Sequence, residues 1–374
     1  MTRPIGPTAI ALTLILLAVG LGPGQAQEAE IPVFEVDPSW PEPLPNDWAF
    51  GQFAGVAVDS GDHVWILQRP DSLEDDETFL TTDPPTAECC RPAPPVMEFD
   101  QGGQFIQAWG GPGAGYDWPD SEHGIHVDAT DSVWIAGNGP DDTYILKFTR
   151  AGEFVLQIGQ KGTTAGSNDT ENLNRPSKVQ VDVQADEVFV ADGYGNRRIV
   201  VFDATTGAYK RHWGAYGNRP DDDAPRPIVS DGPGPQQFNL LHGLKLARDN
   251  TVYVADRVNN RIQAFRPDGT FLKEGFIARR TLGSGSVFDV DLSADPGERF
   301  LYVADGANNR LWILDRDSLR ILGRFGRQGR YAGQFYRAEA VAVDSMGNLY
   351  IAETEGKRVQ RFLFRGMSSS QPTP

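Results

Sequence analysis

Three short stretches place metal-ligand residue types at one spacing. Residues 122–128 read EHGIHVD, 241–247 read LHGLKLA and 338–344 read AEAVAVD. They look like copies of one strand start, with His123 and His242 where the third copy has Glu339. His123 lies ten residues before Val133, His242 ten before Val252 and Glu339 ten before Leu349. Two imidazoles and a carboxylate form a donor set for zinc, which in catalytic sites takes three protein ligands and keeps a fourth position open. The chain has 5 histidines, so two at one register is a pattern worth following. The remaining three, His63, His126 and His212, fall at a turn, on the opposite strand face and in an outer strand, and read as structural.

The elements that must position these residues come from an internal repeat. VFVADGYGNRRIVVF (188–202), VYVADRVNNRIQAF (252–265), LYVADGANNRLWIL (301–314) and LYIAETEGKRVQRF (349–362) align with one another. VWILQRPD (64–71) and VWIAGNGPDDTYILKF (133–148) are weaker copies. Each unit reads as short strands of alternating pattern joined by Gly/Asn/Asp turns. Six such units predict an all-β chain folded as a six-bladed β-propeller of four-stranded blades. The last blade runs out after its third strand, and residues 32–37 (PVFEVD) are predicted to supply the fourth. Arg198, Arg261, Arg310 and Arg358 are expected to pair with acidic residues and fix the hairpin turns.

In this fold the ten-residue offset marks the entry of each innermost strand. The same count gives Ala54 and Lys178 in blades 1 and 3, and a three-residue-longer turn puts Phe288 there in blade 5. His, His and Glu then occupy alternate blades, and three-fold spacing converges them on one axial point.

The repeat resembles the NHL repeat. From about residue 50 to 365 the chain also resembles the catalytic core of the peptidylglycine α-amidating lyases, on GVAVD…LQR, EHGIHVD, VFVADGYGNRRIVVF and FNLLHGLKL…VADRVNNRIQAF. That family is a six-bladed propeller with zinc and calcium in its central channel. The resemblance implies His123 and His242 as zinc ligands and Arg69, Tyr194 and Arg257 as catalytic residues, Tyr194 as general base. It also exposes departures. The family's third ligand is a His followed by Asp, and here the pair is Glu339-Ala340. Loss of that Asp leaves calcium with the backbone carbonyls expected at Val56 and Ile125, and fewer carboxylates weaken a calcium site. Arg337 stands where the family has Met. With Lys178, Arg69 and Arg257 it suggests a cationic funnel for an anionic substrate or leaving group. The competing readings are blade-to-blade salt bridges for the arginines and a packing role for Tyr194.

The 374 residues carry a formal charge of −17, which argues against a nucleic-acid partner. Residues 1–26 have the layout of a signal peptide: one Arg, the apolar run AIALTLILLAVGLG, and a small-residue exit ending at Ala26. The expected location is therefore secreted or periplasmic, with no membrane association after cleavage. Propeller is expected over 27–366, with 367–374 as a loose tail. The only cysteines, Cys89 and Cys90, are adjacent; a vicinal disulfide, an interchain pair or free thiols are all open to them. They sit in an insertion at 71–95 that interrupts blade 1 beside Arg69. Loops this long within a repeat are often functional, and a lid over the channel mouth is expected. Three functions follow: an amidating-type lyase, a metal-dependent hydrolase of carboxylate, sulfate or phosphate esters, or a non-enzymatic binding scaffold.

Overall fold

A computed structural model describes residues 1–2, 30–227 and 231–369. Apart from residues 1 and 2, the expected signal segment lies outside the described residues, as does 370–374. Six four-stranded sheets follow one another along the chain. Their innermost strands are Gln52–Val58, Glu122–Val127, Lys178–Asp182, Leu241–Leu246, Asp289–Leu292 and Ala338–Val343. Each pairs antiparallel with the next strand of its own blade, so chain order and sheet order agree in five blades. The sixth is closed by the N-terminal strand Ile31–Asp37, which pairs with Arg358–Ser368 in a register from Ile31 opposite Ser368 to Asp37 opposite Arg361. That strand runs five residues past Leu363, so the segment read as a tail begins inside the sheet.

The period-two alternation of the strands explains the ring. In Val252–Asp256, Val252 and Val254 pack toward blade 3 while Tyr253 and Ala255 pack toward blade 5. Both faces of a blade are therefore apolar, and each face needs a neighbour. The molecule has six such inter-blade cores, one between every adjacent pair, including blades 6 and 1. These cores lie between the blades, and the central channel is lined by polar groups such as Lys178 and Asp291 beside apolar ones such as Val56 and Ile125.

Buried ion pairs brace the hairpins between second and third strands. Arg198 Nε donates to Asp192 at 2.9 Å and Arg261 Nε to Asp256 at 2.7 Å, all four side chains fully buried. Arg358 donates to Glu353 at 2.8 Å. Arg310 departs from the expectation. It stands opposite Asp305 in register, but Asp305 accepts from the Trp312 indole and the Asn308 amide instead.

Candidate metal centre

The ligand candidates occupy an irregularity that the fold builds on purpose. The pairing of inner and second strands slips by one residue at Ala54, His123, His242 and Glu339, leaving each as the extra residue of a β-bulge. A bulge re-aims its side chain, and at these four places the chain enters the innermost strand. The glycine after each His is required by close approach of the next blade. A Cβ on Gly124 would stand 2.4 Å from the Ser177 carbonyl oxygen, and one on Gly243 would stand 2.6 Å from Asp289 Oδ1. The His-Gly dipeptides are thus a ligand plus the clearance for its neighbour.

His123, His242 and Glu339 meet as predicted by the count of ten. Glu339 Oε1 lies 3.1 Å from His242 Nε2 and 3.6 Å from His123 Nε2, and all three residues are buried. Each imidazole is oriented from behind: His123 Nδ1 bonds the Ser177 carbonyl at 2.9 Å and His242 Nδ1 the Phe288 carbonyl at 2.7 Å. A carbonyl only accepts, so Nδ1 carries the proton and the Nε2 lone pairs point inward. Burial lowers both imidazole pKa values, that of His242 to about 3 with help from the Arg257 charge. Burial opposes charge on Glu339, and the nearby Arg257 guanidinium favours the carboxylate.

Two lone pairs and a carboxylate therefore face one another. The Tyr194 hydroxyl, 3.0 Å from His123 Nε2 and 3.1 Å from His242 Nε2, brings a single proton to this group. Glu339 Oε2 is buried with no hydrogen-bond partner among the described residues. The excess of acceptors over donors fits a cation, and the nitrogen-and-oxygen donor set fits zinc.

Around the triad the same turn recurs in four blades. Asn138 N donates to Ser121 O, Tyr194 N to Arg175 O, Arg257 N to Leu240 O and Thr354 N to Arg337 O. Arg69, opposite Gln52, is the blade 1 counterpart. Arg69 and Arg257 thus face each other from blades 1 and 4, as expected. Tyr194 shares their position because Gly193 is an added residue, packed where a Cβ would meet the Leu241 carbonyl at 2.0 Å. Arg257 Nη1 donates to the Tyr194 hydroxyl at 3.3 Å, and its guanidinium stacks 3.7 Å over Phe288. Arg69 donates to the Glu122 carbonyl at 2.8 Å. Arg337 lies 3.9 Å from Glu339 and 5.7 Å above the same Phe288 ring.

One expectation needs correction. Lys178 is not on this rim. The turn after its strand is one residue longer, so the count of ten overshoots by one. Ser177, whose N–H bonds the Ala191 carbonyl as that of Phe288 bonds Ala304, holds the ligand register in blade 3. Lys178 instead crosses the channel to Asp289 at 2.8 Å. The Tyr194 hydroxyl sits between the two imidazoles and Arg257. Burial and the Glu339 charge raise its pKa, and Arg257 and Arg69 pull it back only in part. Sequence reasoning also missed Arg175, whose Nε donates to the Asn138 carbonyl at 2.8 Å and whose guanidinium lies 5.6 Å over Tyr194. Its signal was its place two residues before the true ligand register, the place Arg337 holds in blade 6.

The calcium expectation does not fit. Val56 and Ile125 line the channel beyond the triad, but Lys178 lines it with them. Two buried carboxylates on this side of the triad are already paired: Asp289 accepts from Lys178 and from the Val341 N–H, and Asp291 pairs with Lys245. The ammonium groups there repel a divalent cation and already neutralise the carboxylates.

A second histidine–carboxylate group, Asp59, His63 and Glu98, lies outside the channel. Arg150 enters it, 3.1 Å from Asp59 and in direct contact with Glu98 and His63. The insertion forms three single 3-10 turns and then a two-residue strand, Arg91–Pro92, paired with Trp48–Ala49. Ser72 bonds the Arg69 carbonyl at 2.7 Å, and Glu77 pairs with Lys357 of blade 6. Cys89 and Cys90 are joined by a disulfide. Among the described residues no helix is long and apolar enough to cross a membrane.

The NHL repeat family matches residues 238–265 and 335–362. Mouse NHL repeat-containing protein 3 is 28% identical over 353 residues, 89% of this chain and 85% of that protein. A Caenorhabditis elegans protein described as a probable peptidyl-alpha-hydroxyglycine alpha-amidating lyase is 26% identical, over 83% of this chain and 81% of its own. Mouse peptidyl-glycine alpha-amidating monooxygenase is 30% identical over 238 residues, which is 58% of this chain but 21% of that protein. A streptogramin B lyase structure superposes with a TM-score of 0.53 at 12% identity, covering 91% of this chain and all of that one, and so shares its fold. By repeat, architecture and sequence, this chain is a six-bladed propeller that carries NHL repeats at 238–265 and 335–362 and resembles the amidating-lyase catalytic core.

Proposed function

We propose that the chain is a zinc-dependent lyase of the amidating type, cleaving an N-acyl α-hydroxyglycine to an amide and glyoxylate. The observation that carries this is the meeting of His123 Nε2, His242 Nε2 and Glu339 as acceptors with one donor hydroxyl between them. These three residues would hold a zinc ion, and such an ion would supply Lewis acidity. Arg69 and Arg257, facing each other across the mouth, hold the substrate carboxylate and carbonyl. Tyr194 takes the proton of the substrate hydroxyl and passes it to the amide nitrogen. The C–N bond breaks, its electron pair stays on nitrogen, and the hydroxyl oxygen becomes the aldehyde oxygen of glyoxylate. The charge of a zinc ion held by the triad, added to Arg257 and Arg69, would lower the phenol pKa against burial and Glu339 and suit it to this role. The disulfide supports an oxidising compartment as its place of action, and the insertion, tied to Arg69 and blade 6, supports a lid over the mouth.

The test is glyoxylate release from an N-acyl α-hydroxyglycine by zinc-saturated and chelator-treated protein. Release with zinc and its loss on chelation is the expected result; none under saturating zinc overturns the reading. The four arginines at the mouth favour a second reading, hydrolysis of an anionic ester. Zinc-dependent turnover of chromogenic carboxylate, sulfate or phosphate esters, abolished in His242→Ala, would establish that reading in place of the first.

A further inference from the structure

The mouth holds more positive charge than one substrate carboxylate needs. Arg175 and Arg337 occupy one structural position in blades 3 and 6, set by the same backbone hydrogen bond to Tyr194 and Thr354. Both sit in the left-handed region, at φ 60 and 65, which non-glycine residues seldom adopt. In a ring of six, blades 3 and 6 face each other, as blades 1 and 4 do. Two pairs of arginines therefore stand on opposite blades around the mouth. Contacts link them in an arc: Arg69 reaches the Asn138 side chain, Arg175 the Asn138 carbonyl and the Tyr194 ring, Arg257 the Tyr194 hydroxyl and Phe288, and Arg337 Phe288 and Glu339.

Their lack of acidic partners separates these four from the fold's bracing arginines. Arg198, Arg261 and Arg358 each meet a carboxylate within 2.9 Å. Among the described residues Arg69, Arg175 and Arg257 have no ion pair, and Arg337 reaches only Glu339, at 3.9 Å. Arg175 and Arg337 are both partly exposed. Unpaired guanidinium forks at a partly desolvated mouth suit planar anions held by paired N–H donors.

We propose that Arg175 and Arg337 form a second anion subsite, so that the preferred substrate is a dianion: one carboxylate for Arg69 and Arg257, and a second on the acyl side for Arg175 and Arg337. The acyl group then carries a carboxylate a few bonds from the scissile C–N bond, as an acidic side chain or a dicarboxylic acyl cap does. This rests on the lyase reading. Both pairs lie on the rim of one channel, so a single compact substrate spans them.

The test compares N-succinyl-α-hydroxyglycine with N-butanoyl-α-hydroxyglycine on the zinc-loaded full chain. The expected wild-type preference for the succinyl substrate is about tenfold or more in kcat/KM, carried mainly by KM. Arg175→Gln and Arg337→Gln should each bring that ratio toward one, while Arg175→Lys keeps part of it. Loss of fold lowers both rates together, so the ratio isolates the subsite. Equal wild-type kcat/KM for the two substrates, or a ratio unmoved in both Gln variants, overturns the proposal. If neither substrate is turned over, the lyase reading has failed, and calorimetry with glutarate and butyrate judges the subsite alone. Tighter glutarate binding that Arg175→Gln abolishes upholds the subsite; equal binding of the two acids overturns it.

Discussion

The axial triad and the outer Asp59–His63–Glu98 group both combine histidine with carboxylate, each with ligand atoms within 4.8 Å of one another. They differ in what lies between those atoms. In the outer group Arg150 brings a fixed cation against both carboxylates, with Asp59 also held by the Trp65 indole at 3.0 Å. In the axial group every inward atom but the Tyr194 hydroxyl is an acceptor. The channel beyond the triad gives a third case, where Lys178 neutralises Asp289. A histidine or carboxylate cluster becomes a metal site when the fold leaves its charge uncompensated, and a structural brace when a guanidinium or ammonium fills it.

The largest effect should come from the axial triad, whose inward atoms are mostly acceptors. His242→Ala should lower zinc affinity by more than about 100-fold, since loss of even an outer partner of a ligand costs ~10–100-fold. Zinc should raise the melting temperature of the wild type and leave that of the variant unmoved. Elemental analysis and thermal melts check both, and retained zinc in the variant would break the comparison.

Arg150→Met should destabilise the protein by about 2–3 kcal/mol, because two fully buried carboxylates lose their cation. Complete burial would cost more, but 32% of the Arg150 side chain is exposed. Denaturant titration measures the loss. If the fixed cation alone separates the two clusters, added zinc should restore part of this stability and a second zinc equivalent should bind.

The smallest response is expected at Lys178. Calcium should not move the wild-type melting temperature. Lys178→Met leaves Asp289 unpaired beside the channel carbonyls, so it should melt lower and become stabilised by calcium at millimolar concentration. A calcium-stabilised wild type would show that the ammonium does not take the ion's place.

The propeller was legible because it is written six times. A strand with two apolar faces, repeated at blade spacing, has few other ways to bury both, and the ring follows. The triad was legible for the same reason: His123, His242 and Glu339 sit in blades 2, 4 and 6, whose turns have equal length, so a linear count reproduces a spatial register. Lys178 failed that count over a single added turn residue, which moved its ammonium from the rim to Asp289. Tyr194 reached the mouth through the opposite accident, the added Gly193, which only a residue without a Cβ could fill.

Sequence by itself thus determined the blades, the closure by the N-terminal strand and the three axial ligand candidates, since each depends on local periodicity. Tertiary structure alone decided which charges are compensated. Arg150 meets His63 from 87 residues away, and Lys178 meets Asp289 from 111. Arg175 and Arg337, 162 positions apart in the chain, come to face each other across the mouth. Electrostatic partnership depends on distance in space, and a closed ring brings together residues that no local pattern connects.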